Sequence, residues 1–165
     1  METHEHLNTY LKDHRAGSAA GTSLARHLWK SVESGPWGPD LERIVEEIRG
    51  EKDVLDEVRS VMGAAGGLLK RVGALALEQV SLFKMTRGLG ESPSGRVTEV
   101  EALMSGVQAK QRLWASLRVI SASRPELGGF DFAALEQQSA DQLRTLGEVH
   151  EWAVREAWET PAPLF

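Results

Sequence analysis

Apolar residues recur at spacings of three and four along four long stretches of this chain. Each stretch ends in a cluster of glycine, proline or serine, the pattern of helices separated by turns. In the first, Leu7, Tyr10, Leu11, Gly17, Gly21, Leu24, Ala25, Leu28 and Val32 share a face. They predict a helix from about Thr3 to Glu33. Gly17 and Gly21 each cost roughly 1 kcal/mol against alanine. Close approach of a neighbouring helix, or room beside the chain for a ligand, would offset that. Ser34-Gly35-Pro36-Trp37-Gly38-Pro39 breaks the pattern. A second helix is expected from an Asp40 N-cap to Met62, with Leu41, Ile44, Val45, Ile48, Leu55 and Val58 on its stripe and Gly63, Gly66 and Gly67 ending it.

Residues 68–87 carry Leu68, Leu69, Val72, Leu75, Val80 and Phe83 at helical spacing, beside Lys70, Arg71, Lys84 and Arg87. They read as a short extra helix packed across the others. A membrane-surface or partner-binding helix is the weaker alternative. A third long helix is expected from about Ser94 to Ala122. Its apolar face, from Val97 to Ile120, is wide enough to make it the most buried. Asp131 should cap a fourth helix bearing Phe132, Leu135, Leu143, Leu146, Val149 and Ala153.

Four such helices, two tight turns and one long connection predict an all-α protein: a four-helix bundle with a short extra helix between helices two and three. The short links make helices one and two antiparallel, and likewise three and four. The long connection allows helices two and three to run the same way. Residues 1–160 read as one domain and 161–165 as a C-terminal tail containing Pro161 and Pro163.

The bulk properties narrow the field. The chain has 165 residues, enough for one domain with a real core. Its net charge of −5 argues against nucleic acid as a partner. It has no cysteine, hence no thiolate chemistry, which suits a cytoplasmic protein. Met1-Glu2-Thr3-His4-Glu5-His6 does not look like a secretory signal, and no apolar run is long enough for a bilayer. Phosphate-binding loops and nucleophile elbows are missing.

Each helical stripe is interrupted by one polar or ionisable residue: His14, Glu51, Lys110 and Gln142. If helices two and three run the same way, these four fall at one height, with Glu101 and His150 at another. Burying such groups is costly without partners. One reading is a structural polar network in which Glu51 pairs with Lys110. The other is a ligand or metal site between the helices.

In helix lengths and connectivity the chain resembles the ferritin-like superfamily over nearly its whole length. The stretch Leu7-Asn8-Thr9-Tyr10-Leu11-Lys12-Asp13-His14, followed by Ala16-Gly17, also resembles uncharacterised bacterial proteins of this shape. The resemblance implies a metal site holding iron or manganese, with Glu51 and Glu101 as bridging carboxylates and His14 and His150 as imidazole ligands. The superfamily's Glu-x-x-His motif occurs nowhere in this chain. Lys110 on an inward face would compete with a metal. The chain is therefore expected to lack a catalytic site and a cofactor and to work through protein association, as a homo-oligomer such as a dimer. The five tryptophans, notably Trp152 and Trp158 beside the stripe of helix four, favour such an interface. A divergent metal-binding or oxidoreductase protein is the alternative.

Overall fold

The computed structural model describes residues 2–66 and 92–159, with side chains from residue 5 to 63 and from 92 to 159. Four helices carry almost all of these residues: α1 (Glu2–Val32), α2 (Gly38–Gly66), α3 (Pro93–Ser121) and α4 (Phe132–Trp158). A single 3-10 turn, Pro125–Leu127, lies between α3 and α4. The extra helix expected within residues 68–87, and the tail from 161, fall outside the described residues.

Local chemistry sets the helix ends. After α1, the Gly35 amide donates to the Val32 carbonyl at 2.8 Å. The chain turns so tightly that a side chain at Gly38 would collide with the Glu33 carbonyl. Helix α2 therefore starts at Gly38, two residues before the expected Asp40 cap. Pro39 sits in its first turn, where a missing N–H is harmless. It also continues past Gly63 to Gly66. Met62, fully buried there, anchors the last turns in the core, and burial outweighs the glycine penalty. The Ser92 hydroxyl accepts from the Gly95 amide at 3.0 Å and opens α3, with Pro93 as its first residue. Asp131 caps α4 as expected, accepting from the Ala134 amide at 3.0 Å.

The core divides into two apolar clusters. The upper one joins Leu24, Leu28 and Val32 of α1 to Leu41, Ile44 and Ile48 of α2, Val100, Leu103 and Val107 of α3, and Leu146 and Val149 of α4. The lower one joins Leu11 of α1 to Leu55, Val58 and Met62 of α2, Leu113, Trp114 and Leu117 of α3, and Phe132 of α4. Leu127 of the 3-10 turn is buried beneath it. Hence α1 and α4 run one way, and α2 and α3 the other. The packed neighbours are α1 with α2, α1 with α3, and α3 with α4, with a lighter contact between α2 and α4. Helices α2 and α3 face each other across a diagonal without backbone contact.

Between the clusters lies a waist. From Lys12 to Ser23, α1 buries none of its residues. A Cβ placed on Gly21 would meet nothing within 4 Å, so close helix approach is not what that glycine serves.

Candidate functional site

The waist is filled by charge and amide groups. Lys110 projects from α3, and side chains on a helix lean toward its N-terminus. Its Nζ donates to Glu51 Oε2 of α2 and, at 2.6 Å, to Gln142 Oε1 of α4. The Gln142 amide nitrogen donates to Glu51 Oε1 at 3.3 Å and to Glu47 Oε2 at 3.0 Å. Both Glu51 oxygens and all of the Gln142 amide's heavy atoms thus have partners. Glu51 and Gln142 are buried, and Lys110 keeps only a small exposed edge. Burial pushes the Glu51 carboxyl up and the Lys110 ammonium down. Their mutual attraction opposes both shifts, which keeps the pair together as a unit.

Three of the four stripe-interrupting residues meet here; His14 does not join them. Its ring lies edge-on to Tyr10 at 4.6 Å between centroids, half-buried on α1. Burial lowers its pKa, opposed by nearby Asp13. Glu101 and His150 do pair, with Oε1 and Nε2 3.0 Å apart across α3 and α4, at an exposed position. The metal set Glu51, Glu101, His14 and His150 is thus split among three places. Among the described residues, no three His, Asp or Glu side chains are grouped to hold a metal ion.

Two participants escaped the sequence reading. Glu47 lies one turn before Glu51, and that i, i+4 spacing put it within reach of the same layer. Glu99 of α3 is completely buried, beside His27 of α1. Nothing in the sequence singled it out, because the apolar face of α3 is too wide to mark which neighbouring positions point inward.

No known protein family, curated protein or solved structure matches this chain.

A shallow groove at the lower end, lined by Asn8, Leu11, Asp56, Arg59, Ser60 and Gly63, is separate from the polar layer. Arg15 donates to Asp56 at 2.5 Å there, tying α1 to α2 and holding that carboxyl below its ordinary range. No described helix is long and apolar enough to cross a membrane. The basic stretch 68–87 lies outside the described residues. Of the tryptophans, Trp114 is core, and Trp29, Trp37 and Trp152 pack partly buried against the upper cluster. Trp158 is 63% exposed.

Proposed function

We propose that this protein is a non-catalytic helical bundle of the cytoplasm that works through protein association, first of all with a second copy of itself. The observation that carries the reading is Trp158. Large aromatic residues are rarely left in water and are enriched at interfaces. This one is 63% exposed at the C-terminal end of α4. At the same end of α4, Arg155 pairs with Glu151 and with Glu159, each at 3.9 Å. The polar layer lends support from the other side. Its carboxylate, ammonium and amide groups are spent on one another, which suits a device that fixes helix register better than a reaction centre.

Size-exclusion chromatography with light scattering tests the reading. The expected result is a dimer at micromolar concentration that dissociates on Trp158→Ala, with the helical circular dichroism unchanged. A wild-type protein that stays monomeric across the micromolar range would overturn it.

A further inference from the structure

We propose that His27 and Glu99 form a proton-dependent latch, which holds α1 against α3 in the upper half of the bundle and loosens when the pair loses its last proton. Glu99 is the least accessible charged side chain of the described residues, with a side-chain exposure of 0%. His27 Nδ1 lies 2.8 Å from Glu99 Oε1, close enough for an ion pair but off the line of a hydrogen bond. Neither carboxylate oxygen has a hydrogen-bond partner. The rest of the imidazole reaches solvent, since the His27 side chain is 40% exposed. A buried carboxylate is therefore compensated by a group that can exchange its proton with water.

The surroundings leave few substitutes. On α3, Arg96 is the other cation near Glu99; its guanidinium lies over the Trp152 ring of α4 at 5.3 Å, and its Nε is buried without a hydrogen bond. On α1, Lys30 is engaged by Glu33 and the Trp29 ring. On α4, His150 is engaged by Glu101. Helix α2 has no backbone contact with α3, and its Leu41, Ile44, Val45 and Ile48 belong to the apolar cluster around this site.

Three protonation states follow. With two protons, Glu99 is a neutral acid beside an imidazolium. With one, the pair is an ion pair or its neutral tautomer. With none, a carboxylate stands buried with Arg96 alone to offset it, and such an uncompensated charge is strongly unfavourable. The sign agrees with the effect of burial on Glu99, whose pKa is raised first by desolvation and held back by His27 and then Arg96. A raised carboxyl pKa means that the folded state keeps its proton more tightly. The associated stability is complete below the ordinary value of 4.5 and is lost as pH rises through the raised one.

Denaturant unfolding of the wild type, Glu99→Gln and His27→Gln from about pH 5 to 8 reads the latch directly. Wild type should lose about tenfold in folding equilibrium constant relative to Glu99→Gln over that range. His27→Gln should begin its loss at lower pH. Parallel profiles for wild type and Glu99→Gln would overturn the proposal. Should a variant fail to fold, NMR of the wild type decides. The amides of residues 24–32 and of Glu99 should shift together through a single transition between about pH 5 and 8, and amides that stay fixed across that range would refute the latch.

Discussion

At the Glu51–Lys110 contact the two partners differ in exposure, 2% for the carboxylate side chain and 15% for the ammonium. Glu51→Leu therefore strands a cation that has only a narrow edge on water, with Glu47 as its remaining electrostatic support. Breaking a buried pair from one side costs about 3–5 kcal/mol, whereas replacing both members with apolar residues is often neutral or stabilising. The single variant should lose about that much in urea unfolding, and Glu51→Leu/Lys110→Met should recover most of it. A single variant as stable as the wild type would mean that the contact carries no weight. These positions were readable from the chain because each interrupts an otherwise apolar stripe. Glu99 was not, because a wide apolar face hides where its centre lies. His14 sits on the stripe yet stays out of the polar layer with its ring against Tyr10, where α1 leaves its flank half open.

Two glycines show how the same residue type serves an element in opposite ways. Gly21 lies within α1 with open space around the missing side chain. Gly21→Ala should stabilise by about 0.5–1 kcal/mol, from the reduced backbone entropy of the unfolded chain and better helix propensity. Gly38 faces the Glu33 carbonyl at the start of α2, where a Cβ cannot fit without moving backbone. Gly38→Ala should destabilise by roughly 1–3 kcal/mol, as overpacking does. Thermal midpoints that shift in the same direction for both would contradict this account. The helices themselves were legible from periodicity, and Asp131 caps α4 where it was expected to. Helix α2 begins two residues before the expected cap, and it passes Gly63 to reach Gly66, within the glycine cluster expected to end it. A tight turn demands glycine for space as well as for flexibility, and a methionine buried in the lower core carries the helix past one.

For the molecule as a whole, the one-way alignment of α2 and α3 was an expectation from the length of the intervening chain, and the membership of the two clusters establishes it. The separation of those clusters could not be read from single stripes, because it arises only where four helices meet. It has an energetic consequence. Leu103 belongs to the upper cluster and Leu117 to the lower. Each truncation to alanine should cost about 2–5 kcal/mol. The double variant should lose the sum of the two within about 0.5 kcal/mol, as uncoupled sites do. A marked departure from additivity in denaturant unfolding would show the interior acting as one body. Between the clusters, α2 and α3 have no backbone contact, yet Lys110 and Glu51 touch. The two outstretched side chains form a crossbeam whose span matches the width of the frame. A shorter acid or a shorter base would preserve every sign of charge and still leave a gap, so reach is as much a requirement there as polarity.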